Sequence, residues 1–168
     1  MEQQKKDVRG AESYEPRVSL RIYPDEVLRK RADPVTVFDS RLSDLIQEMV
    51  LLMRDNNGIG LAATQVGLLE RFFIFESPAD FHCLVNPEIR RFDGHGELVE
   101  GCLSLPSVQV RVSRPQWVEV VAYDPRGRRI RYAMEGLLAH VVQHEIDHLN
   151  GVLILDHGEP LQDSEMSK

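Results

Sequence analysis

Two stretches of helical periodicity, one at each end of a long series of short strand-like runs, constrain the fold of this 168-residue chain most tightly. In the first, after Asp39-Ser40, the residues Leu42, Leu45, Ile46, Met49, Leu52 and Met53 fall on one face at α-helical spacing. Asn56-Asn57-Gly58 predicts its end, because such residues tolerate the left-handed conformation that closes a helix. The second stretch covers 135–149 and stops at Asn150-Gly151 for the same reason. Between them, 71–76 and 81–86 are aromatic and β-branched runs split by Ser77-Pro78. Residues 98–105 and 108–112 are weaker strand signals. Residues 116–123 and 128–133 read as hairpin partners around Asp124-Pro125-Arg126-Gly127. Pro24-Asp25-Glu26 predicts a short helical turn with Pro in its first turn, and the Gly- and Ala-rich 58–67 predicts a loop. The sum is an α+β single domain, with antiparallel β-sheets packed around the second helix.

Composition narrows the classes. The length suits one domain with its own core. A formal net charge of −7 argues against a sequence-independent grip on nucleic acid, so no direct DNA binding is expected. No apolar run is long enough to span a bilayer. Residues 1–16 are polar and lack the apolar centre of a secretory signal; they read as an extension. The folded domain is expected over 17–157, and 158–168 as a polar tail. Two cysteines, Cys83 and Cys102, form no disulfide framework, and they predict a reducing compartment, the cytoplasm.

The chemistry starts in the second helix, at Gln143-His144-Glu145-Ile146-Asp147-His148. A step of four puts His144 and His148 on one face, with Glu145 after the first. In this H-E-x-x-H pattern two histidines hold a metal and the glutamate handles the protons of a bound water. Two solvated histidines on a surface helix are the plain alternative. A catalytic metal needs a third protein ligand and one open position. The extended metalloprotease pattern would put a histidine at 154, where this chain has Ile154, and His157 is out of register. Cys102, in Glu100-Gly101-Cys102-Leu103-Ser104-Leu105-Pro106, is the best candidate, since a thiolate is a strong, soft ligand for zinc or ferrous iron. Taken alone, Cys102 is more readily a buried structural cysteine than a ligand, a description that fits Cys83 better still. In 58–67, closely spaced glycines let backbone approach a ligand, and Gln65 is either an amide donor to a developing oxyanion or a glutamine bonded to loop backbone.

Taken together, these three segments resemble one family. Gly58-Ile59-Gly60-Leu61-Ala62-Ala63-Thr64-Gln65, then Glu100-Gly101-Cys102-Leu103-Ser104, then Gln143-His144-Glu145-Ile146-Asp147-His148 are similar, in order, to the signature motifs of peptide deformylases. Pro24-Asp25-Glu26-Val27-Leu28-Arg29, Phe38-Asp39, Asn86-Pro87 and Gly136-Leu137-Leu138-Ala139 add to the likeness, which covers 17–155. The resemblance implies a metal-dependent hydrolase that removes the formyl group from N-terminal formyl-methionine of nascent polypeptides. It implies Cys102, His144 and His148 as ligands of one divalent metal, ferrous iron, with zinc or nickel also accommodated. Glu145 would be general base and acid, with the Gln65 amide and the Leu103 backbone N–H as oxyanion donors. Ile59, Leu98, Leu137 and Val141, beside the backbone of Gly60 and Gly101, would form the methionine pocket.

The chain departs from the family in places. His140 makes a stripe with His144 and His148; a site that keeps an open position favours a pocket-rim or helix-surface histidine over a fourth ligand. The acidic tail after Leu155 does not support the ribosome-docking helix of some members. Asp147 is expected as a structural partner near the metal helix, and Glu100 as a partner of Arg114. Two rivals remain: a metalloprotease, disfavoured by the absent downstream histidine, and a non-catalytic metal-binding relative, disfavoured by Glu145, Gln65 and Cys102 all being present.

Overall fold

In the computed structural model, which describes residues 17–166, the first periodic stretch is helix α1, Ser40–Asp55. The extension expected over 1–16 lies outside the described residues. The Asp39 side chain accepts the Leu42 N–H at 3.2 Å, satisfying one of the free donors of the first turn. Leu42, Leu45, Ile46, Met49 and Met53 are buried as their spacing requires, and Leu52 packs at the edge of the cluster. Glu48 shares the buried face because Arg17 covers it, with Nε 2.6 Å from its carboxylate.

Seven strands follow among the described residues: β1 Gly60–Ala62, β2 Phe72–Glu76, β3 Phe81–Asp93, β4 Gly96–Cys102, β5 Leu105–Arg114, β6 Trp117–Tyr123 and β7 Arg129–Glu135. Helix α2 covers Gly136–Leu149. An antiparallel sheet runs in the order β1-β2-β3-β6-β7, and β4-β5 form a separate two-stranded sheet. β2 is buried on both faces. Phe72 and Ile74 join the core under α1, whereas Phe73 and Phe75 pack with Ala139, Val142, Ile146 and Leu149 of α2. Burying so apolar a stripe is the main force seating the helix; each such side chain contributes about 1.5–3 kcal/mol. Leu105, Val110 and Val112 of β5 make a smaller core with Leu28, Leu153 and Ile154. α2 is held by the large sheet, as the α+β expectation requires, and the Glu100 carboxylate of β4 reaches its His140 and His144.

Four local expectations change. Segment 58–67 is not loop: it holds β1 and a 3-10 turn, Ala63–Val66. β1 is only three residues long, and pairing with β2, Gly60 opposite Phe75, rather than any pattern of its own makes it a strand. β3 continues beyond Asn86 because a register shift between Val85 and Glu88 absorbs Pro87, which has no N–H for the ladder. The strand expected over 98–105 breaks at Leu103-Ser104, where the chain turns from β4 into β5. The short helical turn Glu26–Arg29 is capped by Asp25, so Pro24 precedes the cap instead of sitting in the first turn. Beyond 157 the tail stays against β5: Pro160 bridges Val110, and the Leu161 N–H donates to the Gln109 carbonyl at 2.8 Å. No helix among the described residues is long and apolar enough to cross a membrane.

Candidate metal centre and active site

The four-residue step on α2 brings the Nε2 atoms of His144 and His148 to 3.1 Å. Cys102, at the end of β4, meets them with Sγ 3.3 Å from His148 Nε2, and the three donor atoms lie within 4.8 Å of one another. The β4–β5 register shifts between Gly101 and Cys102, where the thiol leaves the ladder. A Cβ on Gly101 would meet nothing nearer than the Val108 carbonyl at 3.9 Å, so the chain itself does not need glycine there.

Glu100, one residue before Gly101, anchors the surrounding shell. Its Oε2 accepts from His144 Nδ1 at 3.0 Å and Arg114 Nη2 at 3.0 Å. Its Oε1 accepts from Arg114 Nε at 2.7 Å and His140 Nδ1 at 3.2 Å. Arg114 also reaches Asp147 at 2.8 Å, and His157 Nε2 lies 2.8 Å from the same carboxylate oxygen. The expected Glu100–Arg114 pair and the structural role of Asp147 are both present.

With His144 donating through Nδ1, its Nε2 is the nitrogen left to offer a lone pair once its proton is displaced. The donors then are a thiol sulfur and imidazole nitrogens aimed at one point. Bonds of about 2.1–2.3 Å to a tetrahedral metal would set such atoms roughly 3.4–3.7 Å apart. The observed spacings of 3.1 and 3.3 Å come near this, and the Cys/His/His set suits zinc or ferrous iron. The residues fit a divalent metal.

Glu145 is 4% exposed, and its Oε2 is buried without a hydrogen-bond partner. It packs against Gly60, where an added Cβ would stand 2.5 Å from Oε1; here glycine is required by close approach. Gln65 is pinned at both ends. Its Oε1 accepts the Ala62 N–H at 2.9 Å, and its Nε2 donates to Ser104 Oγ at 3.2 Å and approaches Cys102 Sγ at 3.5 Å.

A cavity of about 690 Å³ opens over these groups. Gln65, Cys102, Leu103, His144 and Glu145 line it, and so do the expected pocket residues Ile59, Gly60, Leu98, Gly101, Leu137, His140 and Val141. His148 is buried below the lining.

The profile of the family described as polypeptide deformylase matches residues 18–164. The chain belongs to this family. It is 49% identical over 137 residues to the peptide deformylase of Caldicellulosiruptor bescii, covering 82% of each chain. The crystal structure of the Thermotoga maritima peptide deformylase superposes with a TM-score of 0.83 at 42% identity, covering 85% of this chain and 98% of that one. A peptide deformylase from Synechococcus elongatus, solved in complex with actinonin, gives 0.82 at 41% identity, covering 86% and 82%. The chain is thus a metal-dependent hydrolase of the deformylase family, acting on the N-formyl group of new polypeptides.

The electrostatics of this deformylase site follow from burial and the Glu100 hub. Burial pushes the Glu145 carboxyl up to about 7, against the opposing pull of His144. Burial also works against a charged His144, but the hydrogen bonds of Cys102 and Glu100 outweigh it and raise the imidazole to about 10. Burial and the neighbouring His144 charge hold His148 well below the usual imidazole range. For Glu100, burial alone would favour the neutral acid, yet His144 and Arg114 hold it well below the usual carboxylate range. The centre thus favours a positive charge among its donors, which a metal cation supplies.

His140 is not a helix-surface residue: it is 2% exposed, within the cavity wall. Its Nδ1 is turned to Glu100, and it is not among the converging donors. Ser104, which holds the Gln65 amide, carried no expectation although it lies inside the second motif. Leu20 and Ile22 also line the cavity, with no motif to announce them.

Proposed function

We propose that Cys102, His144 and His148 hold the resident divalent metal and that Glu145 moves the protons of deformylation. The supporting observation is the meeting of three ligand atoms beside a buried carboxylate whose Oε2 has no partner. When bound, the metal supplies the Lewis acid that polarises the formyl carbonyl and lowers the pKa of water. Glu145 takes the proton of the attacking water as it adds to the formyl carbon. It then delivers that proton to the amine nitrogen as the C–N bond breaks. The Gln65 amide and the Leu103 backbone N–H donate to the oxyanion. Ser104 orients the Gln65 amide, whose Nε2 also donates to Cys102 Sγ at 3.5 Å and so stands beside the proposed metal ligands.

Ferrous iron is the metal of this reading, with zinc and nickel accommodated. Ile59, Leu98, Leu137 and Val141 take the unbranched methionine side chain, beside the Gly60 and Gly101 backbone and with His140 in the wall. The catalytic unit is 17–157. It works in the cytoplasm on formyl-methionyl nascent chains, without membrane or DNA contact; transient ribosome contact has no support in the acidic tail.

Formate release from formyl-Met-Ala-Ser tests the reading, with protein loaded anaerobically with ferrous iron or nickel. Turnover that vanishes in Glu145→Ala while metal content is kept supports it. No formate from protein holding one metal per chain refutes it for this substrate.

A further inference from the structure

We infer that His140 is a positioning residue for the metal centre: by sharing the Glu100 carboxylate, it fixes the tautomer and orientation of His144. The inference rests on the reading of His144 as a metal ligand. Each oxygen of Glu100 accepts from one guanidinium nitrogen and one imidazole: Oε1 from Arg114 Nε and His140 Nδ1, Oε2 from Arg114 Nη2 and His144 Nδ1. Arg114 grips the carboxylate on one side, and the two histidines, one helical turn apart on α2, close the other. An ionised carboxylate only accepts, so both imidazoles carry their proton on Nδ1. For His144 this makes Nε2 the nitrogen that ligates once a metal displaces its proton, the usual way an outer partner orients a ligating histidine. Without His140, Oε1 keeps Arg114 alone, and the carboxylate is free to tilt from the line it shares with His144.

Packing by itself does not account for His140. At 2% exposure its Nε2 is buried without a hydrogen-bond partner, which an aliphatic side chain would avoid. The bond made by Nδ1 explains a histidine at this depth. The three-histidine stripe of α2 then divides its work: His148 and His144 face the metal, and His144 and His140 face Glu100.

The test compares His140→Leu and His140→Asn with the unsubstituted protein. Leu keeps apolar bulk but no donor; Asn places an amide nitrogen on Cγ, where Nδ1 is attached. Zinc affinity is read by competition with a chromophoric chelator. The His144 Nδ1–H is read in the zinc-loaded protein from histidine nitrogen-15 spectra and from its exchange with solvent. His140→Leu is expected to lose about tenfold in zinc affinity and Asn to stay within about threefold, given the usual cost of outer-shell changes. The His144 Nδ1–H should exchange faster in Leu only, with the melting temperature of metal-free Leu protein no lower than that of the unsubstituted protein. Unchanged zinc affinity and unchanged His144 Nδ1–H exchange in His140→Leu, or equal losses in Leu and Asn, would overturn the inference. If His144→Ala binds zinc as tightly as the unsubstituted protein, the metal-centre reading itself fails, a result separable from failure at His140.

Discussion

Glu145 combines deep burial, an unpartnered Oε2 and a carboxyl raised to about 7, which suits a group that must both take and give a proton near neutrality. Glu145→Gln keeps the shape of the side chain and removes this function. Its kcat should fall roughly 10²- to 10⁴-fold while one metal per chain is retained, as steady-state rates with metal analysis would read. Gly60→Ala attacks the same carboxylate sterically, since the new Cβ would stand 2.5 Å from Oε1. The variant is expected to lose activity with metal affinity unchanged, because Gly60 touches no ligand. His144 sets the pH dependence of metal binding. Its imidazole is raised to about 10 in the metal-free protein, so a metal must displace its proton at neutral pH. Affinity therefore falls as pH is lowered, about tenfold per pH unit for each proton displaced, in chelator competition between about pH 6 and 8.

Elements reach the site by different kinds of constraint. α1 was legible because its cap and its apolar face are local. Asp39→Ala removes the side chain that accepts the Leu42 N–H, and should cost about 1 kcal/mol in urea denaturation without altering catalysis. α2 was legible from its Asn150-Gly151 stop and from the H-E-x-x-H motif it carries, which pointed to the proposed chemistry together with the helix. β1, by contrast, is three residues long, and only β2 makes it a strand. β3 runs past a proline because Asn86, at φ 51°, is held by Val35: its Oδ1 accepts the Val35 N–H and its Nδ2 donates to the Val35 carbonyl, both at 2.8 Å. Such ties join distant segments and leave no periodic trace in either.

At the scale of the molecule, Arg114 ties β5 to β4 through Glu100 and to α2 through Asp147, so the metal helix and the cysteine strand share one buried ion network. Arg114→Met leaves the Glu100 carboxylate without its guanidinium and should cost about 3–5 kcal/mol in denaturant unfolding. The network also fixes a pH dependence. Burial opposes ionised Glu100, but His144 and Arg114 hold its pKa below that of an unfolded glutamate. The stability it contributes is present above about pH 4.3 and is lost as pH falls below that value. The urea midpoint of the metal-free protein should drop over this acid range, and Arg114→Met should flatten the drop. By itself, the order of residues named the candidate chemistry: the proposed ligands, base and oxyanion amide are carried by short motifs whose spacing on a helix or beside a turn is set locally. It also determined the α+β class, through two helical periods and the runs between them. Only the tertiary structure decided that β4 and β5 form their own sheet, that Leu20 and Ile22 join the cavity, and that His140 is buried against Glu100. These depend on contacts between segments far apart in the chain, where burial and hydrogen-bond satisfaction across elements choose among arrangements that local propensity leaves equal.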